Sequence, residues 1–438
     1  MSKQKRVAII GAGISGLSSA YHLYKDFDVT VYEKEDYFGG HTDTHTFNID
    51  GQHVNIDSGF IVFCKQFYPH FSSMLDELGV ESQKTEMSFS ARNHQTGVIY
   101  NATSLNKLFC QRKNLFRPSF YRMLIDLHRF YSNAPNVLEN ANHQKSVHEY
   151  LQQNNYSAAF IDDHLFPMIS ALWSATPERV AQFPIHHLIE YLHKHGMMKL
   201  INRPEWLVVK GGSRSYVDAL HKKIKCHWKI NSPVERIERH NDGSINITTS
   251  DQNNEVYDAV IIATHSDQAL RLLDKPSDDE QAILERIKYE DNHVVVHTDD
   301  SIMDSNKQSW ASWNTEVPHS LDSSTQKCCT ANYWMNLLQN LPIKTNVFAT
   351  LNSHHRIQKD KILQQRTYSH PIFTAESVAA QKQKPLINGQ QNTYYVGAYW
   401  GWGFHEDGAR SAYEAAQLIK NRFVRNPSIE LKHGKSTS

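Results

Sequence analysis

Six residues near the N-terminus, Gly11-Ala12-Gly13-Ile14-Ser15-Gly16, and an acid 22 positions after Gly11, Glu33, have the types and spacing to hold a dinucleotide. Gly11 permits a tight turn, Gly13 lets a pyrophosphate reach the backbone, and Gly16 lets a helix pack closely on a strand. A helix opening at Ile14 and Ser15 turns free N–H groups and a positive dipole end toward the phosphates. Glu33, followed by Lys34, is placed to accept hydrogen bonds from ribose hydroxyls. The plain alternative is a glycine-rich turn in some other α/β domain.

Proton chemistry has its own candidates. His41, His297, His370 and His405 stand in motif-like contexts, and a histidine beside a redox cofactor can take a proton while hydride leaves. Each alone is more often a satisfied structural histidine. Tyr399, Trp400, Trp402 and Phe404 crowd one loop with Gly401 and Gly403. They read as an aromatic wall of an apolar substrate slot, or as packing at a domain junction. No HxxxH or HExxH spacing has helical support, so no metal site is expected.

These residues need elements to hold them. Arg6 to Ile10 reads as a buried strand, the run to Lys25 as a helix, and Val29 to Tyr32 as a second strand ending on Glu33. Gly39-Gly40-His41 follows, and the doublet lets the chain pass close to something flat or anionic. His53 to Asp57 alternates like a strand, Ser58-Gly59-Phe60 turns, and Phe67 to Leu78 has helical spacing ending at Gly79. From about Met87 to Pro204 helical patterns dominate, with no glycine between Gly97 and Gly196. Trp206 to Val209, Val234 to Ile237, Ile245 to Thr248 and Asp258 to Thr264 read as strands, with Tyr216 to Ile224 a helix after Gly211-Gly212. His293 to His297, Cys328 to Trp334 and Val347 to Leu351 form a β-rich stretch. A strand at Tyr394 to Ala398 leads to a helix over 408–422.

The expected fold class is α/β: a discontinuous Rossmann-like nucleotide domain with an inserted mixed α+β substrate domain. Residues 1–85, 205–280 and 389–425 form the nucleotide domain. Residues 86–204 form a helical cap, 281–388 a β-rich substrate part, and 426–438 a disordered tail.

Composition limits the function. The 438 residues carry 46 basic and 46 acidic side chains, so there is no global case for nucleic-acid binding. Cys64, Cys110, Cys226, Cys328 and Cys329 show no CxxC spacing, which favours a reducing compartment and a cytoplasmic location. Basic residues before Val7 to Ile10 mimic a signal peptide, but the glycines that break the run serve the turn. No 18 apolar residues run together, so no spanning helix is expected. Asn106 to Tyr131 carries Lys107, Arg112, Lys113, Arg117, Arg122 and Arg129 against only Asp126, with aromatics interleaved. Such a stretch can lie on the inner face of an anionic membrane, or serve as a solvated helix face over a core.

Nearly the whole chain resembles the flavin-containing amine oxidase superfamily, which includes phytoene desaturase-like proteins and protoporphyrinogen oxidases. The resemblance rests on GAGISG with Glu33, Gly39-Gly40, Gly211-Gly212, Ala263-Thr264 and the segment from Val396 to Gly408. Asp57-Ser58-Gly59-Phe60, Trp310 to Asn314, and Gly397 to Gly408 are similar, more narrowly, to bacterial predicted NAD/FAD-binding proteins encoded beside cyclopropane-fatty-acid synthases. The resemblance implies FAD, held by Gly11, Gly13, Ile14, Ser15, Gly16, Glu33, Lys34, Gly39, Gly40, His41, Thr42, Gly59, Phe60, Val234, Ala263, Thr264, Gly397, Glu406, Asp407 and Gly408. It implies hydride transfer to flavin N5 from a fatty acyl or other apolar substrate, and a lipid-modifying methyltransferase as partner. An amine oxidase releasing aldehyde and hydrogen peroxide is the alternative enzyme, and a flavin-binding lipid-presenting protein the alternative without turnover. Three departures matter. His41 stands where the family carries arginine, no lysine appears near His293 to Thr298 to hold a water at N5, and the C-terminal flavin-linking cysteine is missing. They count against amine oxidase activity and favour non-covalent FAD.

Overall fold

The structure is a computed structural model that describes residues 4–139, 145–173, 175–199, 202–318 and 330–425. Cys328, Cys329 and the tail expected at 426–438 lie outside the described residues.

Alternation along apolar strands builds the first layer. Val7, Ile9, Val29, Val31 and Ile261 point into one core, and Ala8, Ile10, Tyr32, Val260 and Ile262 into another. Burial on both faces is what continuous apolar strands of a parallel sheet require. The sheet is parallel throughout, in the order His227–Lys229, Asp28–Tyr32, Arg6–Ile10, Ala259–Ile262, Thr393–Tyr395. Helices Ile14–Leu23, Arg214–Lys223 and His405–Lys420 contribute to one core. The antiparallel strands Val234–Arg239, Ile245–Thr249 and Asn254–Tyr257 contribute to the other. The strands come from three separated stretches of chain. Gly11, Glu33, Ala263 and Gly397 all follow the carboxyl ends of these strands, where open α/β sheets take ligands.

The second layer is a seven-stranded sheet in the order Ile362–Pro371, Tyr289–His297, Phe348–Leu351, Thr330–Trp334, Trp313–Val317, Phe89–Asn93, Val98–Asn101. Its pairs are antiparallel except Trp313–Val317 with Phe89–Asn93. The expected helical cap at 86–204 therefore needs correcting at its start. Phe89 to Asn101 is a hairpin of this sheet, turned at Gly97 with φ +69°. Helices follow from Leu105, including Pro118–Asn133, Phe166–Trp173 and Ile185–Lys194. Leu207–Val209 joins neither large sheet. It pairs antiparallel with Val62–Phe63 and Ser82–Lys84.

Candidate functional site

The glycine turn is built by close approach. Gly11 has φ +98°, and a Cβ there would stand 3.0 Å from the Ala263 carbonyl oxygen. A Cβ on Gly16 would lie 1.9 Å from the Gly11 oxygen, so this glycine lets helix Ile14–Leu23 close on the first strand. Gly13 is different, because a Cβ there would meet nothing within 4 Å and the residue lines a large cavity. The first intrahelical bond runs from Leu17 N–H to the Gly13 carbonyl at 2.9 Å, which leaves the earlier N–H groups without intrahelical partners. No side chain caps them at Gly13. Glu33 ends the second strand and lines the same cavity. Its two oxygens accept the N–H groups of Ala12 at 2.8 Å and Glu35 at 3.0 Å, and each keeps a lone pair for a ribose hydroxyl. An open cradle, a free helix N-terminus and a ribose acid fit an adenine dinucleotide.

The Gly39-Gly40 loop is stitched to this turn. Gly39 N–H donates to Ala12 O at 2.9 Å, and a Cβ on Gly40, at φ +60°, would press within 3.2 Å of Gly13 Cα. Gly59 crosses His41 so closely that a Cβ would lie 2.2 Å from its carbonyl oxygen, and Phe60 N–H bonds that oxygen at 2.7 Å. His41 then enters a ring cluster with His370 at 5.3 Å, Tyr368 at 4.9 Å and His265 at 6.5 Å between centroids. Burial, with the neighbouring imidazoles adding, pushes His41 well below its ordinary pKa and His370 down to about 4. The cluster is therefore neutral near pH 7. Asn292 bonds His370 Nδ1 at 2.9 Å, while the His41 Nε2 is buried without a partner. Below the cluster, burial works against the Asp43 carboxylate, but hydrogen bonds from His45 and Arg366 hold it below the ordinary range. Asp43 also accepts the Tyr368 hydroxyl at 3.0 Å.

The C-terminal segment crosses the cavity next. Gly397, Tyr399, Trp402, Phe404 and His405 line it as helix His405–Lys420 begins. His405 stacks on Phe60 at 3.6 Å, and its Nε2 meets Thr42 Oγ1 at 3.1 Å and the Tyr216 hydroxyl at 3.2 Å. Burial pushes it down to about 3, so it is a neutral positioning residue at the helix start. Glu406 turns away and accepts the N–H groups of His70 and Phe71, capping helix Pro69–Leu78. Asp407 accepts the N–H groups of Trp402 and Phe404 and pairs with Arg410. Gly408 admits the close packing of its helix, since a Cβ would be 2.7 Å from Ser15 Oγ.

Beyond the histidine cluster the cavity opens into a chamber walled by Met87, Phe89, Met168, Leu172, Trp173, Met197, Trp313, Tyr333, Leu338 and Leu351. Phe404 stacks on Tyr191 at 4.9 Å, and the Trp173 indole N–H holds the Trp402 carbonyl at 3.1 Å. The whole cavity measures about 1300 Å³. That exceeds the ~300–1,000 Å³ of a single small-molecule site, leaving room for a dinucleotide and a second molecule.

Of the expected cofactor residues, Gly11, Gly13, Ile14, Ser15, Glu33, Lys34, Gly40, His41, Gly59, Phe60, Val234, Ala263, Thr264 and Gly397 line the cavity. Gly16, Gly39, Thr42, Glu406, Asp407 and Gly408 are not among the lining residues. Trp400 is not in the wall: at 6% exposure it packs in the core with Tyr395 and Ile387. His297 is not in the wall either. Its ring nitrogens meet Thr350 Oγ1 at 2.8 Å and Asp299 N–H at 3.1 Å, within the substrate-domain sheet. The catalytic role expected of His297 therefore has no geometric basis. Sequence reasoning missed His265, although it directly follows Ala263-Thr264, and it missed Tyr191, Tyr368 and His195, which come from distant elements.

The profile of the flavin containing amine oxidoreductase family matches residues 14–420. No curated protein matches the chain. Among solved structures, the CLA-producing fatty acid isomerase from P. acnes is similar at 16% identity, covering 97% of this chain and 100% of that one, with a TM-score of 0.64. Cyclohexylamine oxidase from Brevibacterium oxydans is similar at 16% identity, covering 96% and 100%, with a TM-score of 0.70. A putrescine oxidase is similar at 14% identity, covering 96% and 100%, with a TM-score of 0.67. At such identities the likeness is one of fold.

Proposed function

The chain belongs to the flavin-containing amine oxidoreductase family and is a flavin-dependent oxidoreductase; from that premise we propose that it holds FAD non-covalently and oxidises a C–H bond of a fatty acyl or similarly apolar substrate. Bound FAD supplies the hydride acceptor, its N5, and the protein supplies orientation, dryness and charge. Gly13 and the helix N-terminus at Ile14 would hold the pyrophosphate, and Glu33 the ribose. The start of helix His405–Lys420, which reaches the cavity at His405, would favour negative charge on a flavin ring held there. No cysteine lines the cavity among the described residues, which supports non-covalent binding.

The observation that carries the substrate class is the chamber wall. It is mainly apolar and aromatic, its polar members His164, His195 and Arg203 include no carboxylate, and the acid at its margin, Glu205, is solvent-exposed and paired with Lys84 at 2.6 Å. A cationic amine would find no free carboxylate there, whereas a hydrocarbon chain buries its surface at roughly 25 cal/mol per Å². His41, uncharged and with an unpartnered Nε2, lines the cavity and would take a proton lost from carbon beside the site of hydride loss, its lowered pKa making it a weak base, whereas the Nδ1 lone pair of His370 is spent on the Asn292 amide. The reading predicts that cells lacking this chain lose one class of modified acyl chain and that the wild-type gene restores it. Unchanged acyl composition in both strains would refute it.

A further inference from the structure

We propose that the surface formed by Leu105, Leu115, Phe116, Tyr121 and Ile125, with Arg112, Lys113 and Arg122 among them, docks on an anionic lipid surface. Large apolar side chains on a soluble face call for an explanation when they gather. Of the eleven that stand exposed among the described residues, these five fall within 21 positions, and Phe116 is 88% exposed, Leu105 78% and Ile125 59%. They sit on a short helix Leu105–Leu108, a tight helical turn Arg112–Phe116 and the outer face of helix Pro118–Asn133. The inner faces of the same elements, Phe109, Phe120 and Met123, pack against Tyr100 in a separate core. The Tyr121 hydroxyl ties to the Leu115 carbonyl at 3.0 Å, so the exposed tips stand on a fixed base.

Charge selects the occupant. From Leu105 to Ile125 the chain carries five basic residues and no acid. The nearby carboxylates are already engaged: buried Asp126 takes Arg122 at 3.1 Å and Arg129 at 3.3 Å, and Asp304 faces Arg92. These pairs reduce the sequence count of six cations against one acid, and Arg112 and Lys113 are left exposed beside Phe116 without a carboxylate partner among the described residues. Apolar tips ringed by cations match an anionic bilayer interface, with insertion and attraction acting together. The patch shares stretches of chain with the cavity wall. Ala102, three residues before Leu105, and Tyr131, on the helix that carries Tyr121 and Ile125, both line the cavity. Docking here would bring the chamber to the lipid.

The test is co-sedimentation of the full-length, FAD-loaded protein with phosphatidylcholine vesicles, with and without phosphatidylglycerol. Wild type is expected to pellet with the anionic vesicles at low salt and to be released at high salt. Changing Arg112 and Lys113 to Ser should weaken partitioning about 30-fold, at roughly fivefold per basic residue. Changing Leu105 and Phe116 to Ser should remove it at any salt. Wild type remaining in the supernatant with anionic vesicles at low salt overturns the proposal. So does pelleting that neither pair of substitutions alters. A dimer, seen by sedimentation velocity and broken by Leu105→Ser with Phe116→Ser, would assign the patch to a second copy and also overturns it. None of these outcomes bears on flavin reduction by substrate, so the proposed function stands or falls separately.

Discussion

Replacing Gly13 by Val should remove FAD binding without unfolding the protein. Gly13 has φ −72° and ψ −175°, a conformation valine adopts, and its Cβ would enter open space. The apoprotein should therefore keep its stability within about 1 kcal/mol. The open space is the cavity, and the valine methyl groups would stand where the pyrophosphate approaches the first turn of helix Ile14–Leu23. Loss of two charge-assisted hydrogen bonds, at roughly 1.5–3 kcal/mol each, amounts to about 3–6 kcal/mol, or a Kd raised by about 10² to 10⁴. At FAD concentrations near 100 times the wild-type Kd, wild type gains about 2.7 kcal/mol of stability and the variant almost none. Quenching of free-flavin fluorescence measures the Kd, and thermal melts with and without FAD measure the linkage. Equal FAD affinity in the two proteins would refute the assignment of the turn. A melted apo-variant would refute the claim of open space.

Other substitutions separate packing from binding. Gly16→Val, with its Cβ 1.9 Å from a backbone oxygen, should cost about 3 kcal/mol or more and lower the apoprotein Tm; an unchanged Tm would contradict the helix–strand contact. Trp400→Ala should destabilise the fold by about 3–5 kcal/mol through a core cavity, whereas Trp402→Ala should keep FAD and Tm but slow flavin reduction by substrate. Rapid-mixing spectroscopy on both variants checks this, and reversed phenotypes would refute the placement. Burial raises Glu406 to about 7 despite the two N–H groups it accepts. A carboxyl raised on folding stabilises fully below its unfolded value near 4.5 and loses that contribution as pH rises toward 7, at up to about 1.4 kcal/mol per unit. Buried histidines such as His405 act in the opposite sense, because their pKa falls on folding. The difference in stability between wild type and Glu406→Gln should therefore change between pH 4.5 and 7; a flat difference would show that folding leaves the Glu406 carboxyl unshifted.

What sequence could and could not show follows from how each part is built. The turn from Gly11 to Gly16 and Glu33 are fixed by local geometry, because one strand, one turn and one helix set every distance. The helix at Pro69–Leu78 was legible in the same way, stopped by Gly79 in the left-handed region at φ +70°. The cluster of His41, His265 and His370 was not legible, because it joins a loop, a strand end and a strand of another sheet. Trp400 and Trp402 look alike in sequence. Asp407 takes the Trp402 backbone N–H, and the two rings end in different places, Trp400 in the core and Trp402 at the cavity. The resemblance implies a cofactor role for Glu406, whereas its carboxylate caps a different helix, brought to it by tertiary packing. The Phe89 to Asn101 hairpin was hidden by the helical patterns after it, and the sheet it joins is reached only through Trp313–Val317, more than 200 residues away.

Anaerobic mixing of the FAD-loaded protein with substrates matched in chain length decides between an acyl and an amine substrate. One arm is a long-chain acyl lipid, the other the corresponding long-chain alkyl amine, and the signal is the visible absorbance of oxidised flavin. An apolar chamber without a free carboxylate predicts that the acyl lipid bleaches the flavin and the amine does not, with an oxidised acyl chain recovered in equal moles. Bleaching by the amine, with the acyl lipid inert over the same time, would contradict the account.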